Sequence, residues 1–136
     1  MGHWLLKTEP DTYSFSDLQR EGRTTWDGVT NPQALGFLRQ IQPGDEVFIY
    51  HTGKEKAVVG IGRCTRAAYR DPRSDDPRLV VIDLVAVRPL PRAIRLAEIK
   101  KRAEWTSWEL VRLPRLSVMP VPENVWLGIL ELSEKK

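Results

Sequence analysis

Apolar positions along this chain fall into short runs with two different periods. Residues 3–7 read as a short apolar strand that ends at the turn Thr8-Glu9-Pro10-Asp11, because proline cannot donate to a strand ladder. Residues 46–51, 57–65 and 79–90 are rich in β-branched and aromatic side chains and read as strands, with turn chemistry at Thr52-Gly53-Lys54 and over 71–77. Residues 79–87 are almost continuously apolar, as expected of a central strand covered on both sides, although Asp83 interrupts one face. Helical spacing appears elsewhere. Ser14 and Asp17 form a capping-box pattern, and Gly22 suits the stop of the short helix between them. Asn31 before Pro32 signals a second helix, with Leu35, Leu38 and Ile41 near one face and Pro43-Gly44-Asp45 as its terminating turn. Residues 96–103 read as a third helix. Residues 122–132 read as a last one, burying Val125, Trp126, Ile129 and Leu130.

Three longish strands, several short helices and long connections describe an α+β domain on a curled, mostly antiparallel sheet or barrel. The 136 residues, 41% of them hydrophobic, match one ordinary domain, and neither a repeat nor a Ser/Gly linker divides 1–136. No apolar run approaches the about 20 residues of a membrane-spanning helix, and the first six residues lack the basic start of a secretory signal. The expectation is a cytoplasmic protein with no membrane partner; the sequence leaves the oligomeric state open and favours a monomer.

Charge is uneven. The formal net charge is only +3, yet 88–115 carries eight basic side chains against three acidic ones. Arg88, Arg92, Arg95, Lys100, Lys101 and Arg102 are therefore candidates to hold a phosphate backbone, the alternative being an ordinary solvated face.

The residues give catalysis no specific support. No serine lies in a nucleophile elbow, no phosphate loop is present, and Gly60-Ile61-Gly62 lacks the third glycine of a dinucleotide fingerprint. Cys64 has no disulfide partner and reads as a structural thiol. His3, His51 and Cys64 show no metal spacing, so neither a metal nor a cofactor is expected. What stands out is polar groups next to aromatics at element ends: Lys7-Thr8-Glu9, Trp26-Asp27-Gly28 with Asn31, and Tyr50-His51-Thr52. Small-ligand pockets are built this way, with an aromatic wall and a few fixed donors and acceptors. Trp26 is either such a wall or a core aromatic.

Trp4-Leu5-Leu6-Lys7-Thr8-Glu9-Pro10, Tyr13-Ser14-Phe15, Trp26-Asp27-Gly28-Val29 with Asn31, Gly44-Asp45, Tyr50-His51-Thr52, Val59-Gly60-Ile61-Gly62, Ala68-Tyr69 with Asp71-Pro72, and Arg115-Leu116-Ser117-Val118 occur in this order. In this register they resemble an EVE domain, a family of the PUA-like superfamily and a distant relative of the YTH readers. The resemblance implies a small, mixed, mostly antiparallel barrel decorated with short helices. It also implies a non-enzymatic module that takes one modified base, such as a methylated cytosine or adenine, from single-stranded or locally opened DNA or RNA.

Carried over by position, Lys7, Thr8 and Glu9 form one lip of the pocket and Trp26 its stacking wall. Asp27 and Asn31 meet polar edges, with capping of the adjacent helix as the other reading of Asn31. His51 and Thr52 close the opposite side, and Arg115 and Ser117 add a basic and a hydroxyl contact. The chain departs from the family pattern at Thr30, where an arginine is usual, and at Leu79, where a tryptophan is usual. Leu79 would keep apolar contact with a base and lose the π face, leaving half a cage. Two other classes stay open: a small hydrolase or binder acting on a free modified nucleoside or metabolite, with His51 as base, and a protein-interaction scaffold using Trp105 and Trp108. Trp4 reads as core, and Trp105, Trp108 and Trp126 read mainly as packing.

Overall fold

The structure is a computed structural model that describes residues 2–135. Six strands form one sheet: β1 (His3–Thr8), β2 (Arg23–Trp26), β3 (Glu46–His51), β4 (Ala57–Arg70), β5 (Val80–Arg95) and β6 (Val118–Pro120). Five helices decorate it: α1 (Phe15–Glu21), α2 (Pro32–Leu38), α3 (Leu96–Lys100), α4 (Glu109–Arg112) and α5 (Glu123–Glu134). A 3-10 turn covers Ala103–Trp105. The strand order is β2-β5-β4-β3-β1-β6. Only β1 and β3 run parallel. Their long connection carries α1, β2 and α2, as a parallel crossover requires.

The curl comes from bulges. Against β5, the register of β4 shifts at Val58/Gly60, Ile61/Gly62, Cys64/Arg66 and Arg66/Tyr69. Each bulge bends the strand and increases its twist. One half of β5 therefore pairs with β2 (Trp26 opposite Ile82), while the far half pairs with the start of β4 (Arg95 opposite Ala57). Gly60 is where a helix presses in: a Cβ there would stand 2.5 Å from the Phe15 ring of α1.

On the other side, α5 lays Trp126 between His3 and Phe48, with ring centroids 4.3 Å and 3.8 Å away. Asp45, buried beside this core, accepts from Gly2 N, Gln42 N and Trp4 Nε1 at about 3 Å. Among the described residues no helix is long and apolar enough to cross a membrane.

Several elements differ from the sequence reading. The strand expected to end at residue 90 continues to Arg95, because Pro89 sits opposite Gly60 next to a bulge, where a missing donor is tolerated. The strand expected over 57–65 runs to Arg70. The helix expected over 96–103 stops at Lys100 and is followed by the 3-10 turn. Ile41 lies beyond the end of α2, yet it is fully buried. β2 and β6 were not read as strands from the pattern.

Candidate nucleic-acid interface

The end of β1, the turn before α1, the last residue of α1 and the end of β2 converge on a cavity of about 560 Å³. Lys7 and Thr8 come from β1, Thr24, Thr25 and Trp26 from β2, and Tyr13 from the turn before α1. Asp27, Gly28 and Val29 form a lip that turns back at Gly28, whose φ of +80° suits only glycine among ordinary residues. Ser117 and Arg73 complete the rim.

These groups are held by local bonds. The Ser117 carbonyl accepts from Lys7 N at 2.9 Å, tying the strand leading into β6 to β1. The Lys7 ammonium donates to the Pro114 carbonyl at 2.9 Å and stands 5.6 Å above the Tyr50 ring. Burial lowers the pKa of this ammonium. Thr8 Oγ1 donates to the Tyr13 carbonyl at 2.7 Å and so fixes the turn that delivers the Tyr13 ring.

The Tyr13 hydroxyl donates to the Glu21 carboxylate. Desolvation first, and Glu21 second, raise the pKa of this phenol, which keeps its proton. The Trp26 ring is buried, with 7% of its surface exposed. Among the described residues Trp26 Nε1 donates to no partner and no side-chain polar atom is both buried and unpaired, so this N–H reaches solvent. On the rim, Asp27 accepts a long 3.4 Å contact from Arg73.

Of the residues singled out from the sequence, Lys7, Thr8, Trp26, Asp27 and Ser117 line this cavity together. Others lie elsewhere. His51 is buried and both ring nitrogens are engaged: Nε2 accepts from Phe15 N at 3.0 Å, and Nδ1 meets Glu55 Oε1 at 2.7 Å. With Nε2 accepting, the proton belongs on Nδ1. Thr52 Oγ1 donates to Glu9 Oε2 at 3.1 Å, closing the turn behind β1 without lining the cavity.

Asn31 caps α2 by accepting from Ala34 N at 3.0 Å, and it lines a neighbouring hollow of about 290 Å³ with Arg115. Leu79 lines another, of about 340 Å³, with Thr30, Leu35 and Arg39. There the Arg78 guanidinium holds the Asp76 carboxyl down to about 2.

The basic segment lies apart from the cavity lining. Arg95 is opposite Ala57, Ala57 opposite His51, and His51 opposite Thr8, so three strand spacings, roughly 14 Å, separate Arg95 from the cavity's edge. Arg92 pairs with Glu98 at 2.9 Å and donates to the Leu132 and Lys135 carbonyls. Arg102 stands over Trp105. Arg88, Lys100 and Lys101 are exposed. Trp105 and Trp108 are buried, with Trp108 Nε1 donating to the Pro120 carbonyl.

Sequence reasoning missed Tyr13, Glu21, Thr24, Thr25 and Arg73 as lining residues. Tyr13 carried a signal, as an aromatic immediately before a capping box and after a proline turn. Glu21 reaches the cavity from the end of α1, Thr24 and Thr25 from β2 and Arg73 from the 71–79 loop, which only the tertiary pairing places.

Comparison with known proteins agrees with this geometry. The EVE domain model matches residues 2–132. The chain belongs to the EVE domain family. It is 30% identical to human thymocyte nuclear protein 1, over 98% of this chain and 75% of that protein. Among solved structures, a Pseudomonas syringae protein is 38% identical with a TM-score of 0.90, covering 96% of this chain and 99% of its own. The human THYN1 protein in complex with 5-methylcytosine-containing DNA is 31% identical with a TM-score of 0.92, covering 100% of this chain and 99% of its own. As an EVE domain, the chain has the mixed, mostly antiparallel PUA-like architecture of its neighbours.

Proposed function

We propose that this EVE domain binds nucleic acid by capturing one modified nucleobase in the cavity between Trp26 and Tyr13. The observation that carries the proposal is the placing of an aromatic corner beside fixed donors and acceptors. Trp26 and Tyr13 supply the corner; Lys7, Ser117 and Asp27 stand around it. A base resting on such a ring gains about 1–3 kcal/mol from stacking. A methyl group added to that base adds about 0.8 kcal/mol when fully buried. The human relative solved with 5-methylcytosine-containing DNA supports a modified cytosine as the first ligand to try.

A base can enter only when it is unpaired, so the substrate is a single strand or a locally opened duplex. The module is non-enzymatic in this reading. Support comes from His51, the base that the hydrolase reading would use, whose two ring nitrogens are both occupied.

The test is a proton–nitrogen correlation spectrum of the indole groups, recorded while a short DNA strand with one 5-methylcytosine is added. The Trp26 Nε1–H signal is expected to move. Those of Trp4 and Trp108, bonded to Asp45 and the Pro120 carbonyl, are expected to stay. Movement of all of them alike, or of none, would overturn the proposal.

A further inference from the structure

One seven-residue segment, 27–33, borders three hollows. Its first residues form the lip of the cavity, Thr30 and Pro32 face the hollow floored by Leu35 and Leu79, and Asn31 and Gln33 face the hollow floored by Leu113 and Leu116. The hollows are joined by the chain itself. Ser117 of the cavity directly follows Leu116, and Lys7, which lines the cavity, donates through its ammonium to the carbonyl of Pro114, which lines the second hollow.

Each flanking hollow has an apolar floor and a guanidinium at its edge. Arg115 is exposed and makes no hydrogen bond or ion pair among the described residues. Arg39 is exposed, and among the described residues its guanidinium donates only to the Arg78 carbonyl, a neutral partner that leaves its charge uncompensated. The Arg78 charge, by contrast, is answered by Asp76. A floor that accepts a flat apolar face beside an uncompensated guanidinium complements a nucleotide, whose base is flat and whose phosphate is anionic.

We infer that the nucleotides flanking the captured base lie in these two hollows, so that the strand crosses the 27–33 segment with its phosphates on Arg115 and Arg39. This rests on the base-capture reading of the cavity. It moves the backbone contacts away from the Arg88–Arg102 positions, where Arg92 is already committed to Glu98 and Arg95 lies across the sheet.

The experiment compares the nucleoside 5-methyl-2′-deoxycytidine with a five-nucleotide DNA strand carrying the same base at its centre. Affinities are measured at two salt concentrations for the whole chain and for Arg115→Ala, Arg39→Ala, the double variant, and Lys100→Ala with Arg102→Ala. The expected result is that the strand binds more tightly than the nucleoside. Each of the first two substitutions should flatten the salt slope by about 0.7. The double variant should then lose the roughly sevenfold weakening that two contacts produce between about 50 and 200 mM salt. Nucleoside affinity should not change, and Arg115→Lys should restore the slope.

A strand that binds no better than the nucleoside overturns the inference and leaves base capture standing. So does a length gain that survives the double variant but disappears with Lys100→Ala and Arg102→Ala. A strand whose binding depends on Arg115 and Arg39 while the nucleoside fails to bind sinks base capture and keeps the path. Failure of both ligands overturns both. The melting temperature of each variant shows whether it is folded, and Arg115→Ala, which removes no bond, should leave it unchanged.

Discussion

The Tyr13 ring stands edge-on to Trp26, with centroids 6.3 Å apart and planes crossing at 83°. This arrangement supplies a second aromatic surface where the sequence suggested only half a cage, because Leu79 belongs to the neighbouring hollow. An edge-to-face pair contributes about 0.5–1.5 kcal/mol beyond burial. If Tyr13 orders the corner, Tyr13→Ala should weaken binding of a modified base roughly two- to twelvefold. Tyr13→Phe, which keeps the ring and drops the bond to Glu21, should weaken it less. Fluorescence titration of both variants measures the difference.

Lys7 gives a pH dependence. Its folded pKa lies below the ordinary lysine value of 10.5 because burial disfavours the ammonium. Between the lowered value and 10.5 the unfolded chain binds more protons, so this residue's contribution makes the fold more stable as pH rises through that window. Base binding should move the opposite way, weakening as the ammonium loses its proton. Lys7→Met should abolish both trends, as read from melting curves and titrations across the alkaline range.

Cys64 should be unreactive in the folded chain. Burial pushes its thiol up from 9.0 to about 11, and the Sγ–H donates to the Arg66 carbonyl. Two pH units leave about a hundredfold less thiolate at pH 8. Alkylation followed by mass spectrometry should therefore be at least that much slower in buffer than in denaturant, and equal rates would contradict the burial.

Gly60 tests how α1 is seated. A methyl group at this position meets the Phe15 ring, so Gly60→Ala should cost about 1–3 kcal/mol through overpacking. Because Phe15 N also donates to His51, the shift should reach the Tyr13 turn and weaken ligand binding as well. Urea denaturation gives the first effect and titration the second.

The legible parts of the fold are those written locally. The capping box at Ser14 and Asp17 and the Asn31-Pro32 start specify α1 and α2 with little help from elsewhere. β2 and β6 were illegible because four and three residues carry too little pattern; each exists through a partner, β5 for one and β1 for the other. The same division runs through the site. Lys7 and Thr8 stand at the end of a strand that the pattern reveals, and Trp26 and Asp27 are marked by an aromatic beside a glycine turn, whereas Arg73 comes to the rim from a loop distant in sequence. His51 looked available next to Thr52, but the start of α1 uses one of its nitrogens and Glu55 the other.

The most direct measurement is a fluorescence titration of single strands that differ only at their central base: cytosine, 5-methylcytosine, adenine and N6-methyladenine. It would be run on the wild type and on Trp26→Ala, with Trp26→Phe included because removing a buried indole costs stability. The expected result is a preference for one methylated base over its unmethylated twin of at least about fourfold, the equivalent of one buried methyl, and its loss in Trp26→Ala. Equal affinity for every strand, or a preference that survives folded Trp26→Ala, would contradict base capture at this cavity.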